Sequence, residues 1–347
     1  MLQLQAYYLE PRSAFHLGER GIGIEASDVM AHADTVFSAL CMICRQWAGN
    51  QQLTDMLSSF LSDPPFLLSS AFPYVTRQNG ERLRLFPRPL NLPPGLEELA
   101  KRKAVKGVRF VSESLFRLWI AGESLRAYLP SEEEAGEDFH LLQKGRVWVS
   151  PEEYTDLSTT QIWGGDEEPV PRVTVDRLSS ASAVYQAGRI RFAPGCGLWV
   201  AFQYRAEGWQ EFVEDLLLVL GDDGLGGERS AGHGQYTLNL EQSEVLQLPD
   251  PAARSVILSL YWPPSQEEAN AALKGEGIYY ELLMRRGWLT SPEGPTYRRK
   301  SVRMLAEGSV IGATGRETPG WLADVTPGAF PDHPVYRYGY ALTVGSM

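Results

Sequence analysis

The feature that most constrains this chain is a glycine-rich segment spanning residues 221–234, in which six of fourteen residues are glycine. Apolar residues recur at helical spacing before it, over 209–220, and alternate as in a half-buried strand after it, over 236–240. Because glycine has no Cβ, its backbone can approach an anion closely and adopt positive φ angles. We therefore predict a phosphate-binding loop between a helix and a strand, with side-chain donors from Arg229, Ser230 and His233.

Two familiar nucleotide-binding loops do not fit this segment. A Walker A loop requires Lys followed by Ser or Thr after its last glycine, and Glu228 and Arg229 occupy that stretch. A Rossmann loop follows the first strand and opens a helix, whereas this segment closes a helix. The earlier residues 21–26 match the dinucleotide pattern only formally, because they lack a tight strand-to-helix context. The remaining alternative is a mobile connection that binds nothing.

The charge of the chain is unevenly distributed. The net charge is -11, yet residues 77–109 carry nine Lys or Arg against three Glu, and residues 285–303 carry six against one. Acidic residues gather elsewhere, as in Glu132, Glu133, Glu134, Glu137 and Asp138. This pattern predicts that basic faces bind nucleic acid and acidic faces bind basic protein partners; the alternative is that both basic runs are simply solvated.

Length and composition indicate a two-domain protein of the cytoplasm. The chain has 347 residues, and its sequence contains neither a signal peptide nor an apolar stretch of membrane-spanning length. Its three cysteines suit a reducing compartment. Cys41 and Cys44 form a C-x-x-C motif inside a helical pattern, without a second pair to complete a zinc site. We therefore expect buried thiols there, and neither a metal nor a cofactor.

The order of predicted elements indicates an α+β protein. A strand over 2–8 is followed by a helix that starts at Ser27 or Asp28 as its cap and ends at Trp47 before Gly49. Further strands are predicted around 71–75, 82–86, 198–204 and 236–240, with a helix ending at residue 220. The order β, α, β, β, α, β over residues 1–245 is that of a ferredoxin-like domain with long insertions.

A second domain is predicted over residues 246–347. We expect a strand over 255–262, a capping box made by Ser265 and Glu268, an apolar segment over 278–288 and strands near 301–305, 309–311 and 334–343. The last of these strands places Tyr336, Tyr338 and Tyr340 on one face and Arg337 on the other. That tyrosine face predicts either a stacking platform for bases or an ordinary packed β-face.

One insertion, at about 168–195, has the pattern of a long β-hairpin. Its predicted arms are residues 171–177 and 187–192, which present Arg172, Arg177, Arg189 and Arg191. Leu178, Val184 and Tyr185 are expected near its tip. An arginine-rich hairpin of this kind is suited to gripping an RNA backbone while apolar tip residues wedge between bases, although hairpins also serve as plain protein contacts.

Four blocks of sequence together resemble a known family. They cover residues 15–23, 32–40, 226–234 and 334–339. In this order they are similar to the RAMP-superfamily subunit that binds the repeat-derived 5′ handle of the crRNA in the type III-A CRISPR interference complex, the Csm complex. His233 departs from many loops of the superfamily, which carry an aromatic residue such as Phe at that position.

The resemblance implies a non-catalytic RNA-binding subunit with two ferredoxin-like, RRM-related domains. It implies contacts to the crRNA handle from the glycine-rich loop, a basic stretch, a thumb-like hairpin and the first glycine-rich block. The residues concerned are Gly226, Gly227, Arg229, Ser230 and His233; Lys101, Arg102, Lys103, Lys106 and Arg109; Arg172, Asp176, Arg177, Arg189 and Arg191; and His16 and Arg20. Its implied partners are the crRNA, the large polymerase-like subunit and the repeated backbone subunit, with target RNA engaged indirectly and no membrane.

Three alternatives to this function remain. A CRISPR repeat-processing endoribonuclease of the same superfamily would use His16 as general acid or base, assisted by Tyr7 or Tyr8. A target-cleaving nuclease would use a single Asp, for which Asp34 is the candidate, although an acidic residue in the first turns of a helix is favoured by the dipole alone. The third alternative is a structural scaffold that makes no RNA contact.

Overall fold

A computed structural model describes residues 1–18, 27–96, 105–129, 140–165, 170–175, 182–289, 297–328, 330 and 332–347. Several residues that the sequence analysis singled out lie outside these ranges. They are Arg20, Lys101, Arg102, Lys103, Asp176, Arg177 and Leu178, together with the acidic residues of 132–138.

Six α-helices lie within the described ranges. They are α1 (Ala33–Trp47), α2 (Gly49–Phe60), α3 (Glu113–Ile120), α4 (Pro151–Thr155), α5 (Trp209–Asp223) and α6 (Gln266–Leu273). Helices α1 and α5 are amphipathic, and their apolar faces are buried in one continuous core. In the described part of the chain, no helix combines the length and apolar character needed to cross a membrane.

The strands of the first two thirds of the chain are short except for two. They are β1 (Leu2–Pro11), β2 (Phe66–Leu68), β3 (Phe72–Thr76), β4 (Arg82–Pro87), β5 (Phe110–Ser112), β6 (Leu141–Leu142), β7 (Val147–Trp148), β8 (Trp163–Gly164), β9 (Val170–Val175), β10 (Ser182–Ala187), β11 (Arg191–Phe192) and β12 (Cys196–Tyr204). Strands β1 and β12 are the longest, and both have mostly buried side chains.

The remaining strands follow α5. They are β13 (Tyr236–Leu238), β14 (Glu244–Leu248), β15 (Arg254–Ile257), β16 (Leu282–Arg285), β17 (Trp288–Leu289), β18 (Tyr297–Arg298), β19 (Val302–Leu305), β20 (Val310–Gly312), β21 (Leu322–Asp324), β22 (Tyr336–Tyr338) and β23 (Thr343–Ser346).

A large sheet forms the centre of the molecule, with strand order β13-β1-β12-β3-β4-β5-β7-β6. Strand β1 is antiparallel to β12 on one side, and on the other it pairs with β13 near its end and β14 near its start. Leu9, for example, lies opposite both Leu198 and Leu238. The glycine-rich segment therefore begins at the end of a helix and leads into a strand beside β1. The predicted mixed α and β fold is confirmed, whereas its division into two ferredoxin-like domains stays a prediction.

The C-terminal part contains a three-stranded sheet of order β20-β15-β23 and, among its described residues, one α-helix, α6. Ser265 caps α6 as predicted, because its hydroxyl accepts a hydrogen bond from the Glu268 backbone N–H at 3.1 Å. The predicted return bond of the capping box is wrong. The Glu268 carboxylate instead accepts hydrogen bonds from the Tyr261 hydroxyl at 2.9 Å and the Gly320 N–H at 2.6 Å.

The start of α1 was predicted too early. The helix begins at Ala33, and its N-cap residue is His32 rather than Ser27 or Asp28. The Asp28 carboxylate is occupied by the guanidinium of Arg109, whose Nη2 lies 2.9 Å and 3.0 Å from its two oxygens. Gly49 does not terminate the helical region, since α2 starts there after a turn.

The tyrosine face of the last predicted strand is buried. The Tyr338 hydroxyl accepts a hydrogen bond from the Leu68 N–H at 3.1 Å, and the Tyr340 hydroxyl donates to the carbonyl oxygen of Phe60 at 2.5 Å. Both rings are fully buried, so a base-stacking role for them is wrong and the packed-face alternative is confirmed for them. Arg337, predicted on the opposite face, is buried as well.

The C-x-x-C motif lies in α1, as its helical pattern predicts. Cys44 is buried in the core and Cys41 is half-buried, and both are free thiols. Burial raises the pKa of the Cys44 thiol, which keeps it protonated and unreactive near neutral pH. Cys44 is therefore a core residue of α1.

Candidate nucleic-acid interface

The glycine loop, residues 224–234, depends on glycine at several positions. Gly224, Gly226 and Gly234 have φ angles of +95°, +103° and +84°. A Cβ on Gly234 would lie 2.2 Å from the Leu225 carbonyl oxygen, closer than any real contact. A 3-10 turn over Arg229–Ala231 bends the chain between these glycines. The loop is thus a folded structure with a defined backbone path.

The segment that follows β1 accepts backbone hydrogen bonds from the glycine loop. The Gly227 N–H donates to the His16 carbonyl oxygen at 2.8 Å, and the Gly234 N–H donates to that of Ala14 at 2.8 Å. The His16 ring is buried and its Nδ1 lies 2.7 Å from the Gly188 carbonyl oxygen. Because a carbonyl oxygen only accepts, Nδ1 carries the hydrogen. A Cβ on Gly227 would lie 2.7 Å from Cδ2 of this ring. The His16 ring therefore packs directly against the backbone of the loop at Gly227.

An antiparallel pair, β9 and β10, lies beside the glycine loop. Val184 faces Val173 and Tyr185 faces Arg172 within this pair. Val184 and Tyr185 are therefore in an arm of the pair, and their predicted position near a tip is wrong. The predicted second arm is also displaced: Arg189 and Arg191 lie beyond β10, and Arg191 pairs with Gly164.

A hydrogen bond between two side chains joins this strand pair to the glycine loop. Nη2 of Arg172 donates to Nε2 of His233 at 3.0 Å. Burial and the charge of Arg172 lower the pKa of the His233 imidazole, so it is neutral at pH 7. His233 thus links the loop to β9 in its neutral form.

One cleft, called the outer cleft here, lies on the β9–β10 side of the loop. Its volume is about 410 Å³. Its lining combines the end of β1, the segment after β10 and the glycine loop, namely Pro11, Arg12, Ser13, Ala14, Arg189, Arg191, Phe192, Ala231, Gly232 and His233. Three predicted RNA-binding residues therefore meet here: Arg189, Arg191 and His233. Arg12 joins them and also pairs with Asp222 at 2.5 Å.

A second cleft, called the inner cleft, lies on the other side of the loop and has a volume of about 500 Å³. It is lined by residues of the loop, of α1 and of the C-terminal part. They are His16, Gly18, Asp34, Thr35, Ser38, Ala39, Met42, Gly224, Gly226, Gly227, Arg229, Arg285, Arg286, Gly287, Trp288, Arg299 and Arg337. The glycine loop thus forms a wall shared by two arginine-lined clefts.

A buried carboxylate organises the inner cleft. Arg285 donates to both oxygens of Asp34, from Nε and Nη2, each at 3.0 Å, and Nη1 of Arg337 donates to the same carboxylate. Burial alone would raise the pKa of Asp34, but the charges of these two arginines outweigh it and hold the pKa well below its usual range. Asp34 is therefore ionised and ties α1 to β16 and β22.

Other predicted residues lie around or away from these clefts. Arg229 pairs with Asp223 at the end of α5, and Ser230 is exposed on the loop. Lys106 is exposed, and Arg109 lies in a different cleft beside Asp28. The described part of the basic stretch is therefore not brought to the glycine loop.

Four arginines of the inner cleft were not among the predicted site residues: Arg285, Arg286, Arg299 and Arg337. The first three belong to the basic run 285–303, which is visible in the sequence but carries no sign of its position in the fold. Arg337 lies between Tyr336 and Tyr338 in the sequence, and such alternation of a charged residue with large apolar ones is typical of a strand whose charged side faces solvent. A contact with Asp34 across 303 positions of sequence has no local signature.

Solved structures with the same fold are known. The chain superposes on one from the Csm3-Csm4 subcomplex in the type III-A CRISPR-Cas interference complex with a TM-score of 0.61 and 15% identity, covering 99% of both chains. It superposes on one from the Csm1-Csm4 cassette in complex with cA4 with a TM-score of 0.57 and 18% identity, covering 99% of this chain and 98% of that one. The chain therefore has the fold of these two structures.

Sequence comparison places it more narrowly. Residues 250–346 match the family model of the CRISPR Csm4 C-terminal domain. The CRISPR system Cms protein Csm4 of Mycobacterium tuberculosis H37Rv is 25% identical over 333 residues, which cover 94% of this chain and 93% of that protein. Its counterpart from Thermococcus onnurineus NA1 is 26% identical over 317 residues, or 90% of each chain. Over at least 90% of its length, the chain is thus similar to these two proteins named Csm4.

Proposed function

We propose that this chain is a non-catalytic subunit of a type III-A CRISPR effector complex in the cytoplasm, where it binds the repeat-derived 5′ handle of the crRNA. The single observation that carries the proposal is the position of the glycine loop as a wall between two arginine-lined clefts. Glycines give an RNA backbone close access to the main chain, and guanidinium groups on both sides bind phosphates.

The state of the candidate catalytic residues supports a non-catalytic role. His16 is buried and its ring donates to Gly188, so it serves to position the loop. Asp34 is fully buried and bound by two arginines, which stabilise its ionised form. The Tyr7 hydroxyl donates to Glu214 at 2.6 Å and that of Tyr8 to Glu244 at 2.9 Å. Each candidate acid or base thus has a structural partner.

The similar solved structures support the proposed partners. Their Csm4 chains occur with Csm1 in one case and with Csm3 in the other. We propose that this chain likewise links the large polymerase-like subunit to the backbone subunits. The β9–β10 pair, with exposed Val173, Val175 and Val184, is proposed as the thumb that contacts RNA where the handle meets the guide.

The strand order supports the proposed ferredoxin-like form of residues 1–245. The four strands of the predicted pattern are β1, β3, β12 and β13 in chain order. In the sheet their order is β13-β1-β12-β3, so the first and third strands are neighbours in the centre, and the fourth and second lie at the two sides. Helices α1 and α5 occupy the two helical positions of the pattern. Residues 246–347 are proposed as the second such domain.

The experiment that tests handle binding compares two labelled RNAs, one with the repeat handle and one with the handle scrambled, by fluorescence anisotropy. We expect wild-type protein to prefer the handle RNA. The double variant Arg189→Gln, Arg191→Gln should bind it about tenfold more weakly, with a shallower salt dependence. Arg303→Gln, which removes an exposed arginine outside both clefts, is the matched control and should bind normally.

Two results would count against the proposal. Equal affinity for both RNAs would remove the claim of handle recognition. Cleavage of repeat RNA without metal, abolished by His16→Ala, would show that the chain is an endoribonuclease instead.

A further inference from the structure

A groove opens at the start of α5, away from the glycine loop at the other end of this helix. It is lined by Gln52 of α2 and by Glu207, Gly208, Trp209 and Phe212, and its volume is about 350 Å³. We call it the α5 groove. None of these five residues lines the inner or the outer cleft. The α5 groove is therefore a surface feature separate from both arginine-lined clefts.

Two aromatic rings form the apolar part of the α5 groove. Trp209 packs against Phe66 with the ring centroids 5.8 Å apart, and against Phe212, edge to face, at 5.7 Å. Trp209 and Phe212 are only half-buried. Gly208 adds no bulk beside them, since even an added Cβ there would meet no atom within 4 Å. Core packing thus holds two rings in place while part of each ring stays open to the groove.

The side of α5 that borders the groove is acidic. Glu207, Glu211 and Asp215 follow one another at intervals of four residues, so they lie along one side of the helix and of the segment that enters it. All three side chains are exposed. Within the described part of the chain, none of them forms an ion pair or a hydrogen bond. Their charges are therefore not neutralised.

The surroundings of the groove add further negative charge. Helices α2 and α5 contain neither Lys nor Arg. Arg205, which lies just before α5, pairs with Asp63 at 2.5 Å and with Glu317 at 3.1 Å, and these two carboxylates are 73% and 84% exposed. One guanidinium is thus shared by two carboxylates. The surface around the α5 groove keeps an excess of negative charge.

The stability of α5 does not account for these carboxylates. The helix dipole favours an acidic residue in the first turn, which explains Glu211 only. Asp215 lies one turn further on and repels Glu211, because like charges four residues apart destabilise a helix. At the opposite end of α5, where the dipole disfavours acids, Asp222 and Asp223 are each paired with an arginine. The unpaired acids beside the groove have no such role.

The charge of this surface decides which kind of molecule can cover it. Exposed carboxylates repel a nucleic acid and an anionic membrane surface. They attract the Lys and Arg side chains of a protein. A large apolar side chain on the same protein segment would bury the open parts of Trp209 and Phe212. A basic segment with an apolar residue therefore fits both halves of the groove.

We propose that the α5 groove is a docking site for another protein, whose contacting segment carries Lys or Arg on both sides of one large apolar side chain. The apolar side chain packs on the two aromatic rings, and the basic residues pair with Glu207 and Glu211. Since the groove shares no lining residue with the two arginine-lined clefts, docking there leaves both clefts open to RNA. The proposal does not depend on handle recognition.

The first test measures binding of a fluorescein-labelled peptide, Lys-Arg-Gly-Trp-Gly-Arg-Lys, by anisotropy. We expect the whole chain to bind it about tenfold more tightly than a peptide with Ala in place of Trp. The double variant Glu207→Gln, Glu211→Gln should bind the Trp peptide about tenfold more weakly, with a smaller dependence on salt. The matched control is Glu81→Gln, Glu241→Gln, which removes two exposed carboxylates outside the groove and should bind as the wild type does.

The second test identifies the occupant by photo-crosslinking. Benzoylphenylalanine replaces Gln52 in the whole chain, which is produced in its native cells, and the crosslinked segment is sequenced by mass spectrometry. Ser58, also exposed on α2 but outside the groove lining, is the matched position. We expect position 52 to crosslink to another protein at a segment of the stated composition. The product should be lost in Glu207→Gln, Glu211→Gln.

Either test can overturn the proposal. It fails if the Trp peptide binds no more tightly than the Ala peptide, or binds the wild type and Glu207→Gln, Glu211→Gln equally. It also fails if Gln52 crosslinks no more than Ser58, to a segment without Lys or Arg, or to a second copy of this chain. The double variant should keep the wild-type Tm and its affinity for handle RNA, so failure here is distinguishable from failure of handle recognition.

Discussion

Replacing Asp34 with Asn should destabilise the protein strongly, because it removes a buried carboxylate that Arg285 and Arg337 share. The two arginines are 2% and 4% exposed and together donate three hydrogen bonds to Asp34. An Asn side chain accepts through one oxygen and turns an NH2 group toward a guanidinium. Breaking a buried pair in this way costs about 3–5 kcal/mol of the free energy of unfolding.

Urea denaturation followed by tryptophan fluorescence measures this loss. The matched control is Asp63→Asn, since Asp63 also pairs with an arginine, Arg205, but is 73% exposed. An exposed pair contributes about 0–1 kcal/mol, so the control should retain nearly all of the wild-type stability. The difference between the two variants isolates the effect of burial.

The pH dependence provides a second readout of Asp34. Its pKa is lower in the folded protein than in the unfolded chain, where it is about 4. The contribution of Asp34 to stability is therefore full above about pH 4 and is lost as pH falls below that value. Asp34→Asn should lack this part of the acid dependence. A loss below about 1 kcal/mol in the variant, or an unchanged acid limb, would refute the reasoning.

Three further predictions concern the loop and the core. Because burial and the charge of Arg172 lower the pKa of His233, its bond to Arg172 should persist below the ordinary imidazole pKa of about 6.5 and break only when the pH falls through the lowered pKa. Amide exchange in β9 should then rise, and a rise equally large in Arg172→Gln would contradict this. Gly226→Ala, whose Cβ would lie 2.5 Å from a carbonyl oxygen, should weaken handle-RNA binding by about tenfold in anisotropy assays. Gly328→Ala, outside the loop, has neither a positive φ nor an atom within 4 Å of the added Cβ and should bind normally; equal effects would show that the loop path is irrelevant. Tyr338→Phe should lower the free energy of unfolding by about 1–2 kcal/mol in urea and leave RNA affinity unchanged, and a loss of RNA affinity at full stability would restore the stacking role.

Features with a local signature in the sequence were predicted well. The helix before the glycine-rich segment and the strand after it both exist, because apolar periodicity directly reflects which face is buried. The need for glycine was also visible, since six glycines in fourteen residues are hard to explain without positive φ angles or close contacts. Even so, the helix continues through residue 223, so the loop is shorter than the glycine pattern suggests.

Features that depend on distant partners were not predictable. Asp28 is of a residue type that is favoured as a helix N-cap. Its carboxylate instead binds the guanidinium of Arg109, 81 positions away in the sequence. Asp34 looked like an ordinary acidic residue in a first helical turn, and its arginines lie 251 and 303 positions away. Such pairings are determined by how the sheet and the C-terminal part pack, which no window of a single sequence contains.

The long separation between Asp34 and its arginines has a consequence for biosynthesis. When the first half of the chain has left the ribosome, α1 carries a carboxylate whose partners have not yet been translated. Burying that charge alone is unfavourable, so the final docking of α1 must wait for Arg285 and then for Arg337. A translation product that stops before residue 337 would therefore expose the apolar face of α1, which marks it for chaperones and proteases before it can enter an assembly.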